Sequence, residues 1–242
     1  MCEILVAVWP QPQAFARVLP WALDLERVGV AGFGWGVAWR EEGVVRCRRD
    51  PGRLSVNGAA QEQLAQVTSS HFLVHLRRPS RLSTTALADT QPFVDEAASF
   101  AFAHNGRLEG AEAVRSRFPG KLQGHADSEV GFRLFEARRA QGLSEFDALT
   151  KVHQELGGSA NLALLPARGP TLVYAGNEGN DFWCFGLEGA WVASTALHSA
   201  DEALFSLCFP KAERRVQVGR RQLAEVGEQR SRRGAAPVAA AS

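Results

Sequence analysis

The chain of 242 residues has a single methionine, the initiator, and almost no net charge. Its 27 basic and 26 acidic side chains leave a formal charge of +1, so no global basic field favours nucleic-acid binding. No segment approaches the ~18 consecutive apolar residues of a membrane span. The acidic Glu3 and the short apolar run that follows it do not fit a signal peptide. We therefore expect a cytoplasmic protein that binds neither nucleic acid nor membrane.

Motifs for metals and cofactors are also missing. The four cysteines, Cys2, Cys47, Cys184 and Cys208, are widely spaced. No pair has CxxC spacing, which disfavours a zinc ribbon or a thioredoxin motif, and we expect reduced thiols. His71 and His75 have the spacing of a helical metal pair, but they lie in a predicted strand without an apparent third ligand. Structural histidines are therefore the favoured interpretation, and we expect neither a metal nor a cofactor.

The glycine-rich stretch GFGWG at 32–36 does not match a dinucleotide-binding fingerprint. GxGxxG must lie between a strand and a helix. Counted from Gly32 or Gly34, the third position falls on Val37 or Trp39, and the stretch leads into a strand. We expect these glycines to allow close backbone approach near a site, or a tight hairpin.

Hydrophobic periodicity predicts strands, then helices, then strands, without regular βαβ alternation. Strands are expected at 2–9, 36–40, 44–48, 71–77, 99–104, 160–166, 171–176, 181–186 and 190–194, with two more within 213–226. Helices are expected at 13–27, 59–68, 109–118, 127–141, 144–156 and 200–206. Pro10 and Pro12 are expected to end the first strand, and Asn105-Gly106 to end the strand at 99–104. This order predicts an α+β fold of mostly antiparallel sheets with helices outside, spanning 1–227, and a disordered Arg/Ala-rich tail at 228–242.

Cys2 directly follows the initiator. If Met1 is removed, Cys2 carries both a thiol and a free α-amine. A thiol attacks as thiolate and needs a base, and an α-amine with a pKa of about 7.7–8.0 can accept its proton. Alone, a cysteine at position 2 is most often without catalytic function.

Three further places have both a structural and a functional interpretation. Arg77, at a strand end, is either solvated or grips a carboxylate in a two-pronged pair. Asn105-Gly106 is either a turn or a pair of oxyanion-hole donors. Asp127, at the start of a helix, is either a cap or a carboxylate that binds a substrate ammonium.

The order of these features, Cys2, then GWG entering a strand, then HxR, HNG and DSE, resembles the class II glutamine amidotransferase domain. Among such domains, the chain is most similar to small stand-alone members such as the γ-glutamyl amide hydrolases of ergothioneine-type pathways. The resemblance covers about residues 2–195. It implies an N-terminal-nucleophile (Ntn) hydrolase fold, a four-layer αββα sandwich of two mostly antiparallel sheets.

The resemblance also implies roles for individual residues. Cys2 matches the nucleophile, Asn105 and Gly106 the oxyanion-hole pair, Arg77 the group that binds the substrate α-carboxylate, and Asp127 the acid that binds its α-amino group. Ser80 keeps a hydroxyl where the family commonly has threonine. Phe33 stands where small members usually carry aspartate, and Ser194-Thr195-Ala196-Leu197 replaces the usual Ser-Glu-Pro-Leu. These departures affect the identity of the substrate rather than the type of reaction.

The implied activity is hydrolysis of glutamine or a γ-glutamyl amide through a thioester, which releases glutamate and ammonia or an amine. No synthetase domain is fused within the sequence, so hydrolysis of a small-molecule substrate is the favoured expectation. The alternatives are a glutaminase subunit that delivers ammonia to a separate synthetase partner, and a non-catalytic binding module.

Overall fold

The computed structural model describes residues 2–29, 31–79, 82–195 and 202–227. The strands are β1 (Glu3–Ala14), β2 (Trp35–Glu41), β3 (Val44–Asp50), β4 (Thr68–Leu76), β5 (Phe93–Val94), β6 (Phe100–Arg107), β7 (Ser159–Pro166), β8 (Thr171–Gly176), β9 (Trp183–Leu187), β10 (Ala190–Ser194), β11 (Glu213–Gln217) and β12 (Gln222–Val226). The α-helices are α1 (Leu19–Val28), α2 (Gly58–Ala65), α3 (Ala111–Val114), α4 (Asp127–Ala140), α5 (Glu145–Leu156) and α6 (Glu202–Cys208). The predicted tail at 228–242 and the predicted contact residue Ser80 lie outside the described residues.

The strands form two sheets. The seven-stranded sheet has the order β11-β9-β10-β1-β4-β2-β3, and the five-stranded sheet has the order β12-β8-β7-β6-β5. Neighbouring strands pair antiparallel throughout the described part of both sheets. The predicted α+β class with antiparallel sheets is therefore confirmed.

Three hydrophobic cores divide the molecule into four layers. One core joins the outer face of the seven-stranded sheet to α1, α2 and α6. A second joins the outer face of the five-stranded sheet to α3, α4 and α5. The third lies between the sheets and is built from short or branched side chains such as Val6, Leu73, Ala101 and Ala163. Because successive strand residues face opposite sides, each strand supplies one inner and one outer core, which confirms the αββα sandwich.

The prediction that Pro10 and Pro12 end the first strand is wrong. β1 continues to Ala14, and its register against β4 shifts between Val8 and Gln13. Proline lacks the N–H needed for a regular ladder but fits a bulged segment, so the strand bends there instead of stopping. Pro20 likewise occupies the first turn of α1, where its missing N–H costs little.

The prediction that Asn105-Gly106 ends its strand is also wrong. β6 runs through both residues to Arg107, and its register places Asn105 opposite Asn161 and Gly106 opposite Ala160. Gly106 has φ of +136°, and a Cβ there would collide with the Ser159 carbonyl. Glycine is therefore required by the close approach of β7 rather than by a turn.

Across the described residues, no helix has the length and apolar content needed to cross a membrane.

Candidate active site

Alternation along three strands brings polar residues to one end of the space between the sheets. Ile4, Val6 and Val8 of β1 belong to the inner core. Cys2 lies two residues before Ile4, so the alternation places it on the same side of the sheet. The same alternation places Arg77 after Leu73 and His75, and Asn105 after Ala101 and Ala103. Glu3 pairs with Leu76, so Cys2 and Arg77 are neighbours at the sheet's end.

The Cys2 sulfur is held by the backbone beyond β4. The Arg78 N–H donates to Sγ at 3.4 Å, and Sγ lies 3.7 Å from the Arg78 carbonyl oxygen. Burial raises the pKa of the Cys2 thiol, while the Arg78 N–H and the Arg77 charge partly oppose that rise. The thiol is therefore protonated at neutral pH until a base takes its proton.

The Asn105 side chain lies against the same residue. Its Nδ2 donates a short hydrogen bond to the Cys2 carbonyl oxygen. An amide nitrogen carries two N–H groups, so Nδ2 has a second donor beyond the one used in this bond. Asn105 is fully buried, which keeps the competition from water low.

The Gly106 N–H faces the cavity side of β6. The His104 N–H points away from β7 and donates to Gln91 Oε1 at 2.6 Å. Alternate N–H groups of a strand face the same side, so the Gly106 N–H shares this direction. The Arg107 N–H, one residue on, points to β7 and donates to Ser159 Oγ at 3.1 Å. Asn105 and Gly106 thus present two donors near the Cys2 end of β1.

Arg77 is a buried cation with donor capacity to spare. Its side chain is 4% exposed, and its Nη1 has no hydrogen-bond partner among the described residues. Burial lowers the pKa of the guanidinium, whereas Cys2, Asp89 and Asp127 favour its charged form. An arginine stays protonated under such conditions. A buried guanidinium of this kind is suited to an anionic ligand that completes its hydrogen bonds.

The Asp127 carboxylate is fixed at the start of α4. Its Oδ2 accepts from the Leu108 N–H at 2.7 Å, and its Oδ1 accepts from the Ser128 N–H at 2.9 Å. The preceding loop is held by the buried Asp89, whose Oδ1 accepts from the N–H groups of His125 and Ala126 at 2.6 and 2.7 Å. Asp127 is the first residue of α4 rather than its cap, which is Ala126, and its hydrogen bonds to two backbone N–H groups fix it at the cavity wall.

One cavity of about 500 Å³ connects these groups. Its walls include Cys2, Arg77, Gly106 and Asp127, together with Gln91 and His104. This volume lies within the range of small-molecule sites. Gly36, the second glycine of GWG, lies against Gln91 of the cavity wall. A Cβ on Gly36 would collide with the Gln91 carbonyl, which confirms the expected close backbone approach.

His75 and His104 connect the two sheets beneath the cavity. His75 Nε2 lies 3.3 Å from the His104 carbonyl oxygen, and His104 Nδ1 lies 3.0 Å from Ser128 Oγ. Burial lowers the pKa of both rings; for His75, burial and the nearby Arg77 charge together lower the pKa to about 3. Both rings are neutral at pH 7, in keeping with the structural role expected of His75. His71 contacts Arg40 and Ser70 instead.

The start of β1 is anchored by Thr195, one of the positions where the sequence departs from the family pattern. The Ile4 N–H donates to Thr195 Oγ1 at 2.9 Å, and this hydroxyl donates to Glu3 Oε2 at 2.6 Å. Phe33, another departure, is 40% exposed, and its N–H donates to the Arg77 carbonyl at 3.2 Å. Both departures therefore lie beside the predicted site.

Five of the six residues predicted from sequence are brought together here, and Ser80 lies outside the described part of the chain. Sequence reasoning missed the residues that support them. These are Asp89, Gln91, Asn161, Asn177 and Asn180. Each acts through a contact at least 13 positions away in sequence, and no local motif marks it.

A cysteine just before an inner strand, the Asn105 and Gly106 donors of β6 and a buried cation within an αββα sandwich define a class: the Ntn-hydrolase type of amidotransferase domain. The model of the family "Glutamine amidotransferases class-II" matches residues 1–199. The chain therefore belongs to the class II glutamine amidotransferases.

Solved structures share this fold. The glutamine phosphoribosylpyrophosphate (PRPP) amidotransferase of B. subtilis has a TM-score of 0.73 and 15% identity, over 94% of this chain and 47% of that one. A glutamine aminotransferase class-II domain protein from Silicibacter pomeroyi has a TM-score of 0.57 and 16% identity, over 93% and 98% of the two chains. A predicted glutamine amidotransferase from Pseudomonas aeruginosa has a TM-score of 0.53 and 17% identity, over 93% and 97%.

Among curated proteins, an uncharacterized protein of Methanocaldococcus jannaschii is 34% identical over 104 residues. The match covers 41% of this chain and 28% of that protein. The chain thus spans less than a third of this relative and about half of the B. subtilis enzyme.

Proposed function

We propose that the protein hydrolyses the side-chain amide of glutamine, or of a γ-glutamyl compound, with Cys2 as the nucleophile after removal of Met1. The observation that carries the proposal is one cavity lined by Cys2 and the buried Arg77, with the Asn105 amide donating to the Cys2 carbonyl oxygen. Membership of the class II amidotransferases supports amide chemistry in general.

The charges of the cavity fit an amino-acid head group. Arg77 supplies a guanidinium for an α-carboxylate, and Asp127 supplies a carboxylate for an α-ammonium. One cation and one anion together recognise a zwitterion and fix its orientation. The far end of a bound glutamine then reaches the sulfur and the two donors of β6.

The proposed reaction has two steps. The α-amine of Cys2 takes the thiol proton, Sγ bonds to the amide carbon, and the oxyanion accepts hydrogen bonds from Asn105 and Gly106. The carbon–nitrogen bond breaks, and ammonia or an amine leaves with the proton from the α-ammonium. Water then attacks the thioester, its proton passes through the same amine to the sulfur, and glutamate is released.

The decisive experiment combines intact mass spectrometry with a glutamate-release assay. The protein is incubated with a diazo-ketone analogue of glutamine, and the N-terminal peptide is mapped. We expect one adduct on Cys2 with Met1 absent, and glutamate release from glutamine or a γ-glutamyl amide by the protein alone. Cys2→Ala should abolish both, whereas Cys47→Ala, at a thiol whose pKa burial raises to about 12, should change neither.

The other outcomes separate the alternatives. An adduct on Cys2 with turnover that appears only when a synthetase is added indicates a glutaminase subunit. A folded protein that keeps Met1, forms no adduct and releases no glutamate indicates a binding module and refutes the proposal.

A further inference from the structure

Three asparagines surround the side-chain oxygen of Asn105. Asn177 Nδ2 lies 3.0 Å from Asn105 Oδ1, and the Nδ2 atoms of Asn161 and Asn180 lie 3.4 and 3.5 Å from it. All four side chains are at most 6% exposed. Four buried amides in contact are costly unless their donors and acceptors match, so their orientations are meaningful.

Backbone groups fix which end of each amide faces Asn105. Asn161 Oδ1 accepts from the N–H groups of Gly176 and Asn177, both at 3.2 Å, so its Nδ2 points the other way. Asn177 Oδ1 accepts from the Gly179 N–H at 3.1 Å, which turns its Nδ2 toward Asn105. The oxygen of Asn105 must then face these donors, and its nitrogen must face Cys2.

We infer that Asn161 and Asn177 are positioning residues that hold Asn105 with its N–H groups aimed at the reacting carbonyl. This inference rests on the proposed function, because the aim of the amide matters for catalysis only if an oxyanion forms at Cys2. Donors on Oδ1 also polarise the amide, which makes its N–H a stronger donor to developing negative charge. Asn177 Nδ2 is the nearest of the three donors to Asn105 Oδ1, so Asn177 contributes the most to holding and polarising the Asn105 amide.

Asn177→Asp tests the inference with minimal change in volume. The carboxylate can still accept from the Gly179 N–H, but it presents an oxygen to Asn105 Oδ1 in place of a donor. Two acceptors at about 3 Å repel, so the Asn105 amide turns over and directs its oxygen at Cys2. We expect kcat to fall by about 10²-fold, the effect of losing one oxyanion donor, with KM changed less than about threefold.

Three comparisons make the result specific. Asn105→Ala removes the side-chain donor altogether and should lower kcat by about 10²–10³-fold. The fall in kcat of Asn177→Asp should not exceed this value. Asn57→Asp is the matched control, because Asn57 Oδ1 caps α2 by accepting from the Ala60 N–H at 3.1 Å and a carboxylate does the same; it should leave kcat unchanged. Alkylation of Cys2 by iodoacetamide forms no oxyanion, so its rate should change by less than about threefold in Asn177→Asp, far less than kcat.

A second readout does not depend on turnover. Hydrogen exchange at the Asn105 side-chain amide, assigned by its loss in Asn105→Ala, should be at least about 10-fold faster in Asn177→Asp. If Asn177→Asp does not fold, Asn161→Asp replaces it; because Asn161 Nδ2 also donates to the Asn180 carbonyl at 2.5 Å, we expect the same fall in kcat and faster exchange together with a lower Tm. Unchanged kcat and unchanged exchange would overturn the inference. Faster exchange in a protein that has no turnover at all would instead refute the proposed function and leave the positioning intact.

Discussion

The neutral state of His75 predicts how stability depends on pH. The ring is fully buried, its Nε2 lies 3.3 Å from the His104 carbonyl oxygen, and its Nδ1 has no hydrogen-bond partner among the described residues. Protonation would add a buried charge and an unmatched N–H at Nδ1, close to the Arg77 cation. These effects lower the pKa of His75 from 6.5 to about 3.

The direction in which stability changes with pH follows from the protons that the folded and unfolded chains bind. Between pH 6.5 and about 3, the unfolded chain binds a proton at this histidine and the folded chain does not. Acidification therefore favours unfolding, and the stability that is present above pH 6.5 is lost as the pH falls. At pH 5, about 1.5 units below the unfolded-state pKa, the loss is about 2 kcal/mol at 1.36 kcal/mol per unit.

The test is urea denaturation of the unaltered protein and of His75→Gln at pH 7 and pH 5. Glutamine can donate to the His104 carbonyl but does not titrate, so the variant should lose about 2 kcal/mol less between the two pH values. His71, whose pKa is lowered to about 4, and His104 contribute in the same direction, but they are present in both proteins and cancel in the difference. If the free energy of unfolding changes equally in both proteins between pH 7 and pH 5, within about 0.5 kcal/mol, the prediction that His75 is buried and neutral is refuted.

Two further substitutions separate binding from folding. Arg77→Ala should raise KM by about 10–10²-fold through loss of a charged hydrogen bond to the substrate, a larger effect than the one on folding; a large fall in Tm with unchanged KM would contradict this. Gly106→Ala should lower the free energy of unfolding by at least about 3 kcal/mol, because its Cβ collides with the Ser159 backbone. Gly58→Ala, in open space on α2, should change it by less than about 1 kcal/mol in the same denaturation assay.

The α+β class can be predicted from the order of strands and helices, and the helix start at Asp127 is visible in DSE. The αββα sandwich and the roles of the site residues come from the resemblance carried by Cys2, GWG, HxR, HNG and DSE in that order, because each residue alone also has a structural interpretation. The two prolines of β1 mislead because a single sequence does not show that a bulge will accommodate them. Asn105-Gly106 misleads for a related reason: the dipeptide favours turns, but the pairing of β6 with β7 overrides that preference.

The supporting residues could not be predicted because their roles depend on contacts that only the folded chain creates. Asn161 lies in the middle of β7, where a polar residue between apolar neighbours gives no indication of its partner. Asn177 follows β8 and meets Asn105 across 72 positions of sequence. Asp89 reaches the loop before α4 from 37 positions away. A buried amide or carboxylate in a predicted strand or loop is the one general sign that such a network exists.

The space between the sheets changes from apolar to polar along one direction, and this gradient separates stability from function. At one end Ile4, Val6 and Leu73 pack as an ordinary core. At the other end His75 and Arg77 are buried with unmatched nitrogen atoms, an arrangement that costs free energy in the folded protein without a ligand. An anionic ligand would supply the acceptor that Arg77 Nη1 lacks, which is what we expect if the polar end of this core binds the carboxylate of the proposed substrate beside Cys2.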